Sequence, residues 1–350
     1  MAVDLGKLVS KRKLDLAELS NKVIAVDAYN VLYQFLSIIR GPDGTPLKDS
    51  QGHVTSHLSG IFYRNIELIG YGARPIYVFD GLPSVLKQKT IQARMKRKEE
   101  AQKAMEEALQ KGQMEEARMY AQGTVRMTDE IIASAKKLLE NMGIPYINAP
   151  SEGEGQASYL CRKGQVYAVA SQDYDTMLFG APLVTRNLTI SGRRKLPKKN
   201  IYINVDPEIM NFDDTLAGLG VNHKQLIWLG ILLGTDFNEG VPKVGPKTAL
   251  KIAKETKSID DLIKYVREKY NYEFELDIHE VEDLFLNPEV KEISNHELDV
   301  MLKARPDRDR IIKFMCDEHD FSEERVVKYA DKLVEVRGST RQKGMGDWIK

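Results

Sequence analysis

The sequence predicts an α/β fold in which helices flank a central, mainly parallel twisted sheet. Three short apolar runs, 22–27, 74–80 and 166–170, have the pattern of strands, and an aspartate ends or closely follows each one. Helical patterns separate the runs, and strands that alternate with helices form parallel sheets with right-handed crossovers. Because parallel strands place their carboxyl ends on one rim, the acids after these runs are expected to meet there.

The composition fits a soluble protein that carries separated patches of each charge. The 350 residues include 51 Lys plus Arg and 51 Asp plus Glu, so the formal net charge is zero. A zero total does not exclude nucleic acid, because binding depends on local patches. No apolar run is long enough for a transmembrane helix, and the first residues lack a signal-peptide pattern. Cys161 and Cys316 lack metal-motif spacing and are expected to be buried thiols of a reducing compartment.

Strands and helices alternate along the first third of the chain. A short helix and a turn are predicted within residues 1–20, before the first apolar run. A helical pattern covers 31–39, and a loop rich in glycine and proline covers 41–52. A second helix begins near Thr55 with a threonine or serine cap, and it leads to the run 74–80.

Residues 84–126 form a different kind of segment, with few apolar side chains and many charges. Lys87 and Arg94 are seven positions apart, so a helix would place them two turns apart on one face, close after Asp80. Two interpretations stay open: a solvated helical hairpin with ion pairs, or an arch over the converging acids. In the second, the cations would stabilise charge that develops on a phosphate. The basic side chains of the first helix are Lys87, Lys89, Arg94, Lys96, Arg97, Lys98 and Lys103.

Two pairs of carboxylates lie at the centre of the sequence. Glu152 and Glu154 open a predicted helix, and Asp173 and Asp175 follow the run 166–170. Acids packed at one rim would repel one another and bind protons unless cations neutralised them. Carboxylate oxygens are the ligands that hard cations such as Mg²⁺ and Mn²⁺ prefer.

Each pair also has an interpretation without function. Ser151 and Glu154 have the spacing of a capping box, with Ser151 as the N-cap. That interpretation leaves Glu152 and the glycines beside it unexplained. Asp173 and Asp175 have the composition of a turn after a strand.

Further elements follow in order on both sides of the central acids. An amphipathic helix covers 128–142 and ends at Gly143, ahead of the central acids. Beyond them come an apolar stretch, 177–185, and a basic patch, 193–199, with the pattern of a β-hairpin. The C-terminal part, 258–335, is predicted to be helical with a charged loop over 287–309.

A helix–hairpin–helix motif follows the last candidate acid. An apolar helix over 226–234 ends just before Asp236, and the glycine- and proline-rich stretch 240–249 comes next. Glycines let the backbone approach a phosphate, and Pro246 at the next helix start leaves N–H groups for an anion. The motif predicts sequence-independent binding to a DNA backbone, and a bare turn between helices is the alternative.

The C-terminal tail is polar except for a few apolar positions. Its spacing, Gln-x-x-apolar-x-x-aromatic-apolar, suggests an anchor for a pocket on a partner protein. A frayed terminus is the alternative. The positions that carry the spacing are Gln342, Met345, Trp348 and Ile349.

Through these motifs the chain resembles the flap endonucleases, the structure-specific 5′ nucleases of replication and repair. The resemblance rests on residues 24–27, 77–81, 149–157, 171–175 and 234–236 with the hairpin, and it covers almost the whole chain. The short tail, without a basic extension, is similar to that of archaeal members.

This resemblance implies a PIN-like nuclease fold with a protruding helical arch and two bound Mg²⁺ ions, for which Mn²⁺ can substitute. The implied ligands of the first ion are Asp27, Asp80, Glu152 and Glu154, and those of the second are Asp173, Asp175 and Asp236. Lys87 and Arg94 match catalytic cations, Tyr33 matches an aromatic that stacks on a base, and Thr55 falls where the family holds a one-nucleotide 3′ flap. The hairpin residues that would contact DNA are Gly240, Val244, Gly245 and Lys247.

The resemblance also implies a domain organisation and partners. The expected regions are an N-terminal nuclease region 1–102, an arch 103–119, an internal nuclease region 120–261, a C-terminal helical region 262–338 and a tail 339–350 that binds a sliding clamp (PCNA). Trp348-Ile349 departs from the double-aromatic ending of the family motif, and Ala2 stands where the family has glycine. A monomer in the archaeal cytoplasm, associated with the nucleoid, is expected.

The implied activity is two-metal hydrolysis of DNA at a 5′ flap, with 5′–3′ exonuclease activity, in Okazaki-fragment processing and repair. One alternative is a non-catalytic DNA-binding scaffold on the clamp, which the presence of all seven acids argues against. The other is a PIN-fold exonuclease or RNase. The hairpin and the basic arch instead favour duplex DNA with a single-stranded branch.

Overall fold

A mainly parallel sheet organises the protein, as the sequence predicts. The computed structural model describes residues 5–6, 8–41, 44–189, 192–195 and 202–346. The strands are β1 (Arg12–Lys13), β2 (Val23–Asp27), β3 (Arg74–Phe79), β4 (Tyr146–Asn148), β5 (Ala168–Ala170), β6 (Leu183–Arg186), β7 (Gly192–Lys195), β8 (Tyr202–Val205) and β9 (Glu208–Asn211). One seven-stranded sheet has the order β1-β9-β6-β5-β2-β3-β4.

The pairing pattern makes a parallel block of five neighbouring strands, from β6 to the edge strand β4. β2 pairs in parallel with β3 and β5, β3 with β4, and β5 with β6. β9 pairs antiparallel with β6 and β1, and β1 forms the edge of the sheet opposite β4. The carboxyl ends of β2, β3, β4 and β5 therefore share one rim. β7 and β8 form the separate antiparallel hairpin predicted for the basic patch, of which Lys198 and Lys199 lie outside the described residues.

Helices cover both faces of the sheet. They are α1 (Ala28–Ile38), α2 (Ser56–Gly70), α3 (Gln88–Gln110), α4 (Met114–Ala121), α5 (Asp129–Asn141), α6 (Gly153–Arg162), α7 (Asp175–Leu178), α8 (Phe212–Leu219), α9 (His223–Leu233), α10 (Pro246–Glu255), α11 (Ile259–Tyr270), α12 (Ile278–Leu286), α13 (Asn295–Leu302), α14 (Arg308–Ile312) and α15 (Glu323–Gly346). 3₁₀ turns occupy Leu16–Leu19, Val85–Lys87 and Gln122–Thr124, and a π-helical turn occupies Lys313–Asp317.

Alternation along the central strands divides the buried side chains into two cores. Ala25 and Val78 face the core built with α6, α9, α10, α11 and α12. Ile24 and Phe79 face the core built with α1, α2, α5 and α15. Side chains that alternate along a strand point to opposite faces, so a strand covered on both sides is apolar throughout. The two cores hold the rim of the sheet rigidly between them.

Strand β5 is shorter than the predicted run 166–170. Val166 is buried, but its N–H bonds to Leu160 O within the turn that ends α6. Gly164 in that turn has a φ of +69°, which favours glycine. Val166 therefore packs in the core before the strand begins at Ala168.

Two segments contain regular structure that was not predicted from the sequence. Helix α13 lies inside the charged stretch 287–309, and Ser294 and Glu297 form its capping box. Near the N-terminus, β1 pairs with β9, whereas only a short helix and a turn were predicted there. Both elements depend on polar and backbone contacts, which the spacing of hydrophobic residues does not predict.

The segment between β3 and α5 is a pair of helices, as predicted. α3 and α4 pack against each other and turn at Gly112, whose φ is +69°. Their shared interface buries small side chains, Ala108, Ala117 and Ala121. Lys111 and Glu107 make the kind of exposed ion pair that the solvated-hairpin interpretation expects. The first turns of α3 lie close to the carboxyl rim of the sheet, and this position supports the arch interpretation as well.

The C-terminal helix is longer than predicted. α15 continues to Gly346, so Gln342 and Met345 fall on its last turns. Trp348 and Ile349 lie outside the described residues. Arg337 of α15 donates to Gly143 O and Ala304 O, which ties the helix to the body of the protein.

The thiols and apolar helices give two further outcomes. Cys161 is buried, but Cys316 is only half-buried, and both are free thiols. Among the described helices, none is by itself long and apolar enough to cross a membrane. The bent pair α8 and α9 meets that criterion only when both helices are taken together.

Candidate active site

Six of the seven predicted acids line one cleft at the carboxyl rim of the sheet. The cleft has a volume of about 420 Å³. Three basic side chains, Lys87, Arg94 and Lys98, line the same cleft and belong to the arch segment. The acids that line it are Asp27, Asp80, Glu152, Glu154, Asp173 and Asp236.

Strands β2 and β3 deliver the first two acids. Asp27 is the last residue of β2, and its Oδ1 accepts the Asn30 N–H at 3.0 Å as the N-cap of α1. Asp80 directly follows β3, and its Oδ1 accepts the Gly153 N–H at 2.8 Å. A β-carbon at Gly153 would lie 2.5 Å from that Oδ1, so any other residue at this position would displace the Asp80 carboxylate.

Helix α6 delivers the two glutamates, and the capping-box interpretation is wrong. The N-cap is Glu152, not Ser151, and no side chain caps the helix. Glu154 instead turns inward, where its Oε1 accepts Thr176 Oγ1 at 2.8 Å and lies 3.0 Å from Ser171 Oγ. The side chains of both glutamates therefore face the cleft, and neither of them caps the helix.

The remaining acids come from the segments after β5 and α9. Asn30 Nδ2 donates to Asp173 Oδ2 at 3.1 Å. Asp175 is buried at the start of α7 and is not among the residues that line the cleft, but its charge raises the pKa of Glu154. Asp236 sits in a loop braced by Asn238, which hydrogen bonds to Thr235 Oγ1 at 2.8 Å and to Ile231 O at 2.8 Å.

Ser171 connects acids from two elements, and the sequence did not indicate this role. Its Oγ lies 3.0 Å from Asp27 Oδ2 and 3.0 Å from Glu154 Oε1. A hydroxyl has one proton to donate. Without cations, both contacts are satisfied as hydrogen bonds only if one of the two carboxyls is protonated. Asn30 and Thr176 were also missed, because their polar partners lie far away in the sequence.

Burial and mutual repulsion raise the pKa values of the deepest acids. Burial, then the charges of Asp80 and Asp173, raises the pKa of Asp27 to about 8. Burial raises the pKa of Asp80 to about 6, although Lys87 opposes the change. The pKa of Glu154 lies well above its ordinary value, chiefly through burial and then through Asp27. Burial and Asp236 raise the pKa of Asp173.

Lys87 and Arg94 face the acids, as predicted, although Lys87 lies in the 3₁₀ turn and not on α3. Lys87 Nζ pairs with Glu152 Oε2 and lies 3.9 Å from Asp236 Oδ2. Arg94 pairs with Asp236 Oδ1. Burial alone would raise the pKa of Asp236, but Arg94 and Lys87 lower it below its ordinary value. The two cations thus partly neutralise one side of the cleft.

The other predicted site residues surround the cleft or lie outside it. Tyr33 lines it, and Lys98 Nζ lies 5.1 Å from the Tyr33 ring centroid. Thr55 is buried at the start of α2, but its side chain does not cap the helix. Ser56 instead joins the preceding loop, since its Oγ donates to Ile39 O at 2.6 Å and accepts the Leu47 N–H at 2.9 Å.

The predicted helix–hairpin–helix is formed by α9, the turn 240–245 and α10. A β-carbon at Gly240 would lie 2.4 Å from Leu233 O, so the hairpin closes only with glycine there. Gly245 is the N-cap of α10 with open space around it, and Pro246 begins the helix. Val244 is buried, whereas Lys247 points to solvent. The N-terminus of α10 is thus exposed beside a basic side chain, as an anion site requires.

The donor set of the cleft fits hard divalent cations. Six carboxylates and three basic side chains leave an excess of buried negative charge, and the raised pKa values record its cost. Bound cations would let all the carboxylates ionise together. Carboxylate oxygens without sulfur or imidazole favour Mg²⁺ or Mn²⁺ over softer metals.

The raised pKa values predict that the metal-free protein loses stability as the pH rises. A carboxyl whose folded pKa exceeds its unfolded value of about 4 destabilises the fold when it ionises. With the pKa of Asp27 at about 8 and that of Asp80 at about 6, the loss falls between about pH 4 and pH 8. In EDTA at pH 8, Asp27→Asn should raise the free energy of unfolding by up to about 5 kcal/mol, because each unit of pKa shift corresponds to about 1.4 kcal/mol. Denaturant titrations of both proteins at pH 5 and pH 8 measure the difference.

The difference in the free energy of unfolding between the wild type and Asp27→Asn reports on Asp27 alone, because the other titrating groups are the same in both proteins. Asparagine keeps an oxygen for the Asn30 N–H, so the cap of α1 survives. The advantage of Asp27→Asn should shrink at pH 5, and saturating Mg²⁺ should stabilise the wild type more than the variant. A variant that is less stable than the wild type at both pH values would contradict the assigned repulsion.

Comparison with known proteins matches this architecture to one group of nucleases. The family models that match are the XPG N-terminal domain, over residues 3–101, and the XPG I-region, over residues 143–236. Flap endonuclease 1 of Pyrococcus furiosus is 47% identical over 351 residues, and the alignment covers all of both chains.

Solved structures give the same match in three dimensions. Flap endonuclease-1 from Methanococcus jannaschii superposes with a TM-score of 0.73 at 38% identity, covering 97% of this chain and 99% of that one. The catalytic core of Rad2 in complex with DNA substrate has a TM-score of 0.67 at 25% identity, covering 95% of this chain and 100% of that one. Both similarities extend over almost the whole chain.

Proposed function

Because the chain belongs to the flap endonuclease family, we propose that its acidic cleft cuts DNA where a 5′ single strand leaves a duplex. The chain is a metal-dependent nuclease that acts on DNA phosphodiester bonds in replication and repair. The observation that carries the proposal is the convergence of six acids in one cleft, faced by cations of a helical arch. A non-catalytic scaffold would not need this buried charge.

We propose that two Mg²⁺ ions, replaceable by Mn²⁺, bind in this cleft. Asp27, Asp80, Glu152 and Glu154 would hold one ion, and Asp173, Asp175 and Asp236 would hold the other. Bound ions supply charge that neutralises the attacked phosphate and activates water as the nucleophile. Ser171 and Asn30, which hydrogen bond to Asp27 and Asp173, would hold these two carboxylates in orientation.

The basic side chains of the arch would act on the substrate phosphate. In the absence of DNA, Lys87 and Arg94 pair with Glu152 and Asp236. If cations bind these carboxylates, the two basic side chains would be free to contact the phosphate oxygens. Preorganised positive charge there stabilises the charge that builds up during hydrolysis. Tyr33, already in contact with Lys98, would stack on an unpaired base near the cut.

The duplex would bind along the side that carries the hairpin. The N-terminus of α10 and Lys247 offer backbone N–H groups and a positive charge to one phosphate strand. Such contacts do not depend on base sequence. The free 5′ strand would then pass under α3 and α4, while a 3′ flap of one nucleotide would lie near Thr55.

A synthetic 5′-flap duplex, labelled at its 5′ end, tests the proposed activity. Incubation with Mg²⁺ should release the flap as one main product cut at the junction, and EDTA should stop the reaction. A duplex without a flap and a single strand serve as matched substrates. Equal cutting of the single strand, or cuts scattered along the flap, would indicate a general nuclease instead.

We further propose that the tail binds a sliding clamp (PCNA) in a cytoplasmic, nucleoid-associated complex and that the enzyme is otherwise a monomer. Trp348→Ala with Ile349→Ala should leave cleavage of free DNA unchanged and remove at least about nine-tenths of the stimulation by the clamp, since buried aromatics dominate such interfaces. Cleavage rates with and without clamp give the measurement. Lys350→Ala is the control, and stimulation that survives the double variant would place the clamp contact elsewhere.

A further inference from the structure

A second cleft, separate from the acidic one, is lined by two histidines that converge on a buried aspartate. This cleft has a volume of about 940 Å³ and shares no lining residue with the acidic cleft. Asp49 and His53 lie in the loop between α1 and α2, and His319 lies between the π-helical turn and α15. Each of these three side chains offers one atom that could bind a metal. Within the part of the chain that the structure describes, these three atoms all lie within 4.8 Å of one another.

Both imidazoles converge on a single carboxylate oxygen. His319 Nδ1 lies 2.9 Å from Asp49 Oδ2, and His53 Nδ1 lies 3.1 Å from the same atom. The Asp49 side chain is only 1% exposed, His319 is 13% exposed and His53 is 42% exposed. The cluster is thus closed on the protein side and open to solvent at His53.

Backbone groups fix the orientation of the carboxylate. Asp49 Oδ1 accepts the His53 N–H at 2.8 Å and the Gln51 N–H at 3.1 Å. This oxygen is fully used within the loop, and Oδ2 is aimed at the two rings. Burial alone would raise the pKa of Asp49, but hydrogen bonds from His319 and His53 lower it to about 2. The group is therefore an anion throughout the neutral range.

A second carboxylate stands behind the exposed ring. His53 Nε2 lies 3.6 Å from Glu130 Oε1 on α5. Histidines that bind a metal through one nitrogen usually donate the other N–H to a carboxylate or carbonyl. The outer nitrogen of His53 therefore has an exposed carboxylate within ion-pair distance, and a movement of under about 1 Å would bring the two atoms to hydrogen-bond length.

From this geometry we propose that Asp49, His53 and His319 form a binding site for one zinc-type divalent cation. The two Nδ1 atoms and Oδ2 supply three ligands, and solvent completes the coordination. On binding, each ring proton moves from Nδ1 to Nε2, so neutral imidazoles remain neutral, and the proton of His53 faces Glu130. Two imidazoles and one carboxylate favour Zn²⁺, Co²⁺ or Ni²⁺ over Mg²⁺.

The ion would fasten together two segments that are distant in the sequence. The loop of Asp49 and the turn of His319 already touch through Asp320 Oδ2, which accepts the Ser50 N–H at 2.6 Å. The π-helical turn Lys313–Asp317 leads directly to His319 and packs Phe314 against it, with ring centroids 4.8 Å apart. A cation bound across this junction would stabilise one wall of the cleft and add to the stability of the fold.

Cobalt binding to the full chain, with Mg²⁺ in excess to occupy the acidic cleft, tests the proposal. Wild-type protein should take up one Co²⁺ with visible absorption bands, and Zn²⁺ should displace it. His53→Ala and His319→Ala should each weaken Co²⁺ binding by at least about tenfold, and Glu130→Gln should weaken it by about tenfold through the outer contact. His279→Ala removes an exposed histidine paired with Asp260 and should leave binding unchanged.

Thermal unfolding provides a readout that does not depend on nuclease activity. Zn²⁺ should raise the Tm of the wild type and of His279→Ala, but not that of His53→Ala. Because the His53 side chain is 42% exposed and does not belong to the apolar core, that variant is expected to fold, and its circular dichroism spectrum checks this. Cobalt binding that is absent from the wild type, or equal in His53→Ala and His279→Ala, would overturn the site.

Discussion

Asp173→Ala is expected to reduce the cleavage rate of a 5′-flap duplex by at least about 10³-fold while the duplex still binds. Asp173 combines a ligand oxygen in the cleft with a hydrogen bond from Asn30, and its pKa is raised by burial and by Asp236. Removing it would take away charge that the proposed second cation needs, but it leaves the hairpin and α10 untouched. Binding therefore separates from chemistry, because the duplex is held mainly through its phosphates.

The experiment compares binding in Ca²⁺ or EDTA with single-turnover cleavage in Mg²⁺. Asp213→Ala is the matched control, since Asp213 is an exposed acid in the first turn of α8 and does not line the cleft. It should cut and bind like the wild type. If Asp173→Ala retained more than about a tenth of the wild-type rate, Asp173 would have no place among the cation ligands.

The convergence of the acids could be predicted because it follows from topology alone. β2, β3 and β5 are parallel neighbours, so Asp27, Asp80 and Asp173 arrive at one rim whatever their side-chain partners are. The role of Glu154 could not be decided in the same way. A capping box and an inward-facing ligand share the same spacing, and only packing beside Ser171 and Thr176 selects the second.

The groups that orient the acids escaped prediction for a related reason. Ser171 and Asn30 are common residue types, and their partners in the cleft lie far from them in the sequence. The cluster at Asp49 and His319 is likewise formed by a contact across 270 residues. Local composition predicts which element forms, whereas such pairings depend on how the elements dock. For α13, a local signal did exist in Ser294 and Glu297, and its short hydrophobic pattern hid it.

The arch segment shows what the spacing of residues in the sequence can predict and what it cannot. The interval between Lys87 and Arg94 indicated two cations facing the acids, and both do contact them. The structure differs in the local geometry, because Val85–Lys87 is a 3₁₀ turn that precedes α3. Lys87 is consequently the more enclosed of the two, with its side chain 16% exposed against 44% for Arg94. Lys87 is the basic group most favourably placed to act on a phosphate in the cleft.

Lys87→Ala is expected to slow the single-turnover cleavage step by about 10²- to 10³-fold with little change in DNA affinity. An ammonium that is buried among Glu152, Asp80 and Asp236 has a pKa above its ordinary value, so it stays charged throughout the working pH range. Its field acts on whatever negative charge develops in the cleft, and little solvent screens it. Lys96→Ala is the control, because Lys96 is an exposed lysine of α3, the helix that follows the turn of Lys87, and it does not line the cleft.

The dependence of the rate on Mg²⁺ separates a chemical role for Lys87 from a structural one. In the metal-free cleft Lys87 competes with cations for Glu152 and Asp236, so its removal should leave unchanged or lower the Mg²⁺ concentration that gives half the maximal rate. The maximal rate itself should remain low at saturating Mg²⁺. If a higher Mg²⁺ concentration restored the wild-type rate, Lys87 would serve only to assemble the acids, and the charge that acts on the phosphate would have to come from Arg94.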